Sequence, residues 1–197
     1  MHLLGVRGVR LNLASRGQTP SKAEFSKLLR VYANRIRHLR WALQIYIRLP
    51  QVALIAEEIP NLGITVIIDH LGHPYEHIPI FQQDGYAEFM DLLRKKHIYT
   101  KLSGIYRFPN LPGLDDFVRQ LLFDAPSQVI WASDWPHSGG KELLRNGDRT
   151  KHQDYRRVDD SEFVAQCLDW CGKDEELVRK IWVDNPRRLW QFNELGE

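Results

Sequence analysis

Apolar residues gather in five short runs, separated by longer stretches in which they recur every three or four positions. The runs cover Gly5 to Leu13, Leu43 to Ile47, Ile64 to Asp69, Ile98 to Ser103 and Gln128 to Ser133. Two of them, Ile64-Thr65-Val66-Ile67-Ile68 and Val129-Ile130-Trp131-Ala132, are nearly unbroken, the pattern of strands covered on both faces in a parallel sheet. Helical spacing marks Ser21 to Arg40, Pro50 to Asn61, Gly85 to Lys96, Leu114 to Phe123, Ser161 to Cys171 and Glu175 to Trp182. Ser21 and Glu24 have the S-x-x-E spacing of a capping box, and Leu28, Leu29, Tyr32 and Ile36 continue an apolar stripe. Strands alternating with helices predict an α/β fold, and the order fits either a doubly wound sheet or a TIM barrel. No internal repeat or low-complexity tract divides the chain, so residues 1–197 read as one domain.

Composition narrows the class. A chain of 197 residues that is 43% hydrophobic can bury a core without disulfides or metal staples. Its 27 basic and 25 acidic side chains nearly cancel, so no global field draws it to nucleic acid or an anionic membrane, and a small molecule is the expected partner. No run approaches the length of a spanning helix, and Met1 to Arg10 lacks the apolar core of a signal peptide, which predicts a soluble, cytoplasmic protein. Cys167 and Cys171 lie four apart in a helical stretch with no second pair to complete a metal site, so they read as reduced thiols.

The chemistry-bearing residues stand where the apolar runs end. Asp69-His70 closes the third strand, Lys101 and Ser103-Gly104 the fourth with Arg107 just beyond, and Ser133-Asp134 the fifth. In parallel α/β folds the C-terminal strand ends form one rim, which brings such residues together. There Asp134 can take a proton from water as general base, while His70 can orient a carbonyl, bind a metal or stabilise an oxyanion. Arg107 can pair a carboxylate through two parallel hydrogen bonds. Each has a plainer alternative: Asp134 as the N-cap of a following helix, His70 as a hydrogen-bonded core residue, Lys101 and Arg107 as surface ion-pair partners. The polar stretch from Gly139 to Asp160, with Lys141, Arg145, Arg149, Lys151, Arg156 and Arg157, is either a lid over the rim or a solvated excursion.

Five motifs in order carry a family resemblance. They are Gly5-Val6-Arg7-Gly8-Val9-Arg10-Leu11-Asn12; Ile68-Asp69-His70-Leu71-Gly72; Lys101-Leu102-Ser103-Gly104 with Tyr106-Arg107; Ser133-Asp134-Trp135-Pro136-His137; and Asp184-Asn185-Pro186 with Leu189 and Phe192. Together they resemble the amidohydrolase-related (amidohydrolase 2) family of the metal-dependent hydrolase superfamily, in the branch of 2-pyrone-4,6-dicarboxylate lactonase-like hydrolases. The resemblance implies a (β/α)8 TIM barrel, incomplete here, with about five C-terminal βα units. It implies that Asp134 activates water beside His70 and Arg107, that Arg10, Asn12 and Tyr46 contact substrate, and that His137 positions substrate or the loop. Asn185-Pro186 would open a structural closing helix.

Two departures stand out. The superfamily's His-x-His pair has no counterpart, and the first strand here would be roughly the fourth of eight. His73 occupies the place where the family commonly has a basic residue. The implied function is a hydrolase acting on a carboxylate-bearing lactone or related cyclic ester or amide. Two alternatives stay open: a nonoxidative decarboxylase of the same superfamily, and a truncated, non-catalytic family member. The lactonase-like reading requires no cofactor, whereas a divalent metal such as zinc would fall to His70 and Asp134. The implied partners are a small-molecule carboxylate and a second copy of the chain covering the exposed barrel edges.

Overall fold

The computed structural model describes residues 1–139, 148 and 150–192. Each apolar run forms a strand: β1 (Gly8–Asn12), β2 (Ala42–Tyr46), β3 (Val66–Ile68), β4 (Ile98–Leu102) and β5 (Val129–Trp131). All pairings are parallel and the spatial order follows the sequence, β1-β2-β3-β4-β5. A doubly wound sheet reverses its order at a switch point, whereas a barrel wall adds each strand beside the last. The sequential order therefore selects the barrel-type architecture. Among the described residues the wall is open, because β1 and β5 each have a partner on one side only.

The helices are α1 (Lys22–Ile36), α2 (Pro50–Ile55), α3 (Tyr86–Arg94), α4 (Leu114–Asp124), α5 (Asp160–Trp170), α6 (Glu175–Arg179) and α7 (Asn185–Leu189). Both halves of the predicted capping box start α1: the Ser21 side chain accepts from the Glu24 amide and Glu24 accepts from the Ser21 amide. Its buried stripe is Phe25, Leu29, Ala33 and Ile36. The predicted extension to Arg40 instead tightens into a 3₁₀ turn over Arg37–Leu39, which Arg40 ends in the left-handed region at φ 55°. Pro60 interrupts the stretch predicted as one helix from Pro50, since it has no N–H to donate, and a 3₁₀ turn over Ile59–Asn61 takes its place. Asp159 caps α5 by accepting from the amides of Ser161 and Glu162.

Alternation along the strands separates two faces. Leu11, Leu43, Ile45, Val66, Ile68, Ile98, Leu102 and Val129 pack with the stripes of the helices, among them Phe25, Leu29, Phe89 and Phe117, in the main core. Each such fully buried side chain contributes roughly 1.5–3 kcal/mol. The opposite face carries a small apolar layer of Ala42, Ile67 and Ile130, covered by Leu189 and Trp190. Nearer the C-terminal strand ends that face turns polar, with Arg10, Gln44, Asp69 and Lys101. Fully buried Asn185 ties α7 down by donating to the carbonyls of Pro126 (2.8 Å) and Val129 (2.7 Å), so the closing helix is anchored at the base of β5.

Candidate active site at the strand ends

Beyond β3 the chain enters a turn that L-residues adopt at a cost. His70, Leu71, Gly72 and His73 follow one another at φ 51°, 55°, 79° and 48°. Two backbone bonds close this left-handed turn, Gly72 N–H to Asp69 O (3.0 Å) and His73 N–H to His70 O (2.8 Å). It aims both imidazoles back across the rim against Tyr46, whose ring meets His70 edge-on at 4.9 Å and stacks on His73 at 5.1 Å.

His70 is 3% exposed, and its Nδ1 lies 2.8 Å from Ser103 Oγ. Its Nε2 has no hydrogen-bond partner and lies 3.5 Å from Asp134 Oδ1. Burial holds the imidazole pKa down to about 4, against the opposing pull of Asp69 and Asp134, so His70 is neutral at pH 7. A neutral ring next to a carboxylate oxygen favours the tautomer with its proton on Nε2, leaving Nδ1 to accept from Ser103; this tautomer is assigned from the hydrogen bonding. Gly104 permits the approach. At φ +65° it has no Cβ, and one placed there would stand 2.8 Å from His70 Nδ1 and 3.3 Å from Asp134 Oδ2.

Asp134 lies just beyond the C-terminal end of β5 at φ 64°, and no described helix begins there, which sets aside the N-cap alternative. Its Oδ2 accepts from Tyr106 Oη at 2.6 Å and from Arg107 Nε at 2.9 Å. Arg107 is not a surface ion-pair partner: its side chain is 8% exposed, and the Asp134 and Tyr46 environment raises its pKa despite the opposing effect of burial. Burial first, and the bond to Asp134 second, push the Tyr106 hydroxyl pKa up, so it stays a donor.

A second polar cluster sits beside this one. Asp69, fully buried, accepts from Arg10 Nε (3.0 Å) and Gln44 Nε2 (2.7 Å), with Lys101 Nζ at 3.3 Å. Lys101 also donates to Gln44 Oε1 at 2.7 Å. Burial alone would raise the Asp69 pKa, but Lys101, His70 and Arg10 outweigh it and the net shift is downward. Arg10 further lies 5.2 Å from the Tyr46 ring centre, so Arg10, Tyr46, His70 and Arg107 do converge.

Asn12 does not join them. Its side-chain oxygen accepts from the Ser15 amide and hydroxyl, which holds the turn after β1. His137 is buried, with Nε2 3.1 Å from Asp160 at the start of α5 and its ring 5.3 Å from that of Tyr106. Of the basic residues between Gly139 and Asp160, Lys141, Arg145 and Arg149 lie outside the described residues. Lys151 is exposed, Arg157 borders a cleft with Tyr106 and Ser133, and the Arg156 amide donates to His137 O at 3.0 Å, returning the chain to the rim. Sequence reasoning missed Tyr106 and Ser103 as partners of Asp134 and His70. Their only signal was their place beside Arg107 and Gly104 just after a strand.

The amidohydrolase family matches residues 1–192. The chain belongs to this family. A 4-sulfomuconolactone hydrolase of Hydrogenophaga intermedia is 33% identical over 157 residues, 77% of this chain and 47% of that protein. A 2-pyrone-4,6-dicarboxylate hydrolase of Comamonas testosteroni is 27% identical over 205 residues, covering 96% of this chain and 61% of its own. A solved Pseudomonas putida structure described as a putative 2-pyrone-4,6-dicarboxylic acid hydrolase superposes on the entire chain with a TM-score of 0.73 and 28% identity, using 67% of its own length. The amidohydrolase chain thus spans about half to two thirds of the length of these relatives. None of the three is named a decarboxylase, so that alternative gains nothing from them.

The family also raises the question of a metal. His70, were Nε2 to give up its proton, and the Asp134 carboxylate would offer two donors, and no group of three or more His, Cys, Asp or Glu suited to a metal occurs among the described residues. Zinc sites draw three or four protein ligands. The described residues therefore do not complete such a site by themselves. No described helix is long and apolar enough to cross a membrane.

Proposed function

We propose that this chain carries the rim of a hydrolase that opens a carboxylate-bearing lactone or a related cyclic ester or amide. The observation supporting this most directly is the convergence on Asp134, whose Oδ2 takes Tyr106 and Arg107 while Oδ1 stands 3.5 Å from His70 Nε2. In this reading Tyr106 and Arg107 fix the carboxylate and leave Oδ1 to accept a proton from water. The oxygen of that water attacks the lactone carbonyl carbon, and neutral His70 donates from Nε2 to the developing oxyanion. Collapse breaks the ring C–O bond, and the proton held by Asp134 passes to the departing oxygen, so the product is an open hydroxy acid. Ser103 keeps the His70 ring in the donating tautomer. Arg10 and Tyr46 face the same space and serve as substrate contacts, with the outer guanidinium nitrogen of Arg107; His137 holds the segment after Asp134 to α5. Asn12 is left with a structural part. No step is routed through a metal.

The test is hydrolysis of a panel of carboxylated lactones by the 197-residue chain, with Asp134→Asn as the paired control. The variant is expected to lose roughly 10²-fold or more in rate, the scale of general-base catalysis. Equal turnover by the two proteins would refute the assignment. Turnover by neither would move the chain to the non-catalytic reading or to one that needs a partner. Sedimentation at several concentrations would show whether a second copy covers the open edges of β1 and β5.

A further inference from the structure

The carboxylate of Asp134 is steadied by a ring that is itself held from outside the strand ends. Tyr106, whose hydroxyl donates to Asp134 Oδ2 at 2.6 Å, lies on the 3₁₀ turn Ile105–Arg107 after β4. The His137 ring meets the Tyr106 ring at 84°, with 5.3 Å between centres, and the Arg156 guanidinium lies 5.8 Å from the same ring centre. His137 is 5% exposed. Its N–H donates to Asp134 O and its carbonyl accepts from the Arg156 amide, each at 3.0 Å. Those bonds pin the backbone and leave the side-chain torsions to other contacts. Among the described residues the imidazole has one polar partner: Nε2 lies 3.1 Å from Asp160 Oδ2, while the buried Nδ1 has none. A carboxylate can only accept, so the hydrogen bonding assigns the proton to Nε2. Asp160 is the first residue of α5, where a carboxylate also suits the positive end of the helix. It is not the cap, however. Asp159 fills that place by accepting from the amides of Ser161 and Glu162, so the Asp160 side chain, 43% exposed, is left to His137.

We infer that Asp160 is a positioning residue of the rim: it fixes the His137 ring, that ring fixes Tyr106, and Tyr106 fixes which oxygen of Asp134 is left facing His70. Only the effect on rate rests on the proposed function; the order of the two rings does not. Asp160 itself touches no reacting atom. Without its carboxylate the imidazole is free to turn about its outer torsion or to carry its proton on Nδ1. In a closely packed interior a turned ring displaces its neighbour, and Tyr106 loses the edge-on contact that holds its hydroxyl on Asp134.

The test follows both rings by NMR in the intact chain and in Asp160→Ala, Asp160→Asn and Asp159→Ala, the last removing the cap of α5 without touching His137. The His137 signals are identified by their loss in His137→Gln, and those of Tyr106, in tyrosine-labelled protein, by their loss in Tyr106→Phe. The parent is expected to show one His137 tautomer, with its proton on Nε2, and one set of Tyr106 ring signals. In Asp160→Ala the tautomers mix and the Tyr106 signals shift. Asp160→Asn, whose amide oxygen still accepts from Nε2, stays near the parent. Asp159→Ala lowers the melting temperature yet leaves both rings unchanged, a separation that a merely structural role for Asp160 would not give. A parent proton on Nδ1, Tyr106 signals indifferent to Asp160→Ala, or equal shifts in Asp159→Ala overturn the inference. Where a lactone is turned over, kcat in Asp160→Ala should fall about tenfold at steady KM, with Asp160→Asn recovering most of it; an unchanged kcat also overturns it. If no lactone is hydrolysed, the proposed function fails while the ring signals still decide the role of Asp160.

Discussion

Replacing Asp69 with Asn removes one negative charge from a position with no solvent access. In the folded chain that charge faces Arg10, Gln44 and Lys101. Asn keeps a neutral bond to Gln44. Arg10, whose side chain is 42% exposed, recovers much of its solvation from water, so its share is small. Lys101 is 16% exposed and loses its counter-ion, and stripping one partner from a buried pair costs about 3–5 kcal/mol. Gln44 Oε1 still accepts from Lys101, which favours the low end, ~3 kcal/mol. With a urea m-value of about 2 kcal/mol/M, the unfolding midpoint should fall by roughly 1.5 M at constant m.

The double variant with Lys101→Met should lose clearly less than the sum of the two single losses, since Lys101 no longer stands as a largely buried cation without its counter-ion. The pH dependence has a fixed sign. The folded pKa of Asp69 lies below its ordinary value of 3.8, so the contribution is fully present above that pH and is lost as pH falls toward the folded value. The gap between parent and variant should close in acid. A loss below about 1 kcal/mol at pH 7, or additive single and double variants, would show that the cluster does not work as a coupled unit.

Because burial lowers the His70 pKa from 6.5 to about 4, its ¹⁵N imidazole shifts should stay at neutral values from pH 8 down to 5; a midpoint between 6 and 7 would contradict the buried geometry. The same shift makes the unfolded chain bind the proton first, so His70 should cost stability progressively as pH drops from 6.5 toward 4, read as a falling melting temperature. Asn185→Ala leaves the Pro126 and Val129 carbonyls without their donor and should cost about 2–4 kcal/mol in thermal denaturation, at one or more kcal/mol per buried group. A change within ~0.5 kcal/mol would mean that α7 is held by its apolar contacts alone.

Strand centres were legible because parallel strands need apolar residues on both faces, and Val66-Ile67-Ile68 shows this directly. Strand ends were not. Gly5 lies in a turn outside β1, and Ile64 precedes the β3 register, since pairing rather than hydrophobicity sets where a strand stops. The segment from Lys180 to Asp184 widens into a π-helix before α7, which no local spacing announced. At the rim, the strand-end rule placed His70, Arg107 and Asp134 together. It could not see that Asn12 spends its oxygen on Ser15, three residues on, although Asn followed by Ser at that spacing is a common local turn. Nor could it read the left-handed run at His70 to His73, in which only one residue of four is glycine.

That run bears on how the protein fails. Three non-glycine residues in the left-handed region cost about 1–2 kcal/mol each relative to ordinary backbone, so the turn is held by what surrounds it. Its supports are non-local: the ring of Tyr46, the hydroxyl of Ser103, and the space left by Gly104. None is in place before β2, β3 and β4 have assembled, so the turn should lock late in folding and release early under heat or denaturant. Mild stress would then silence the rim while the sheet still gave a native circular dichroism spectrum. Loss of function and loss of fold would be separate events, and a soluble, well-folded preparation would be no guarantee of a working one.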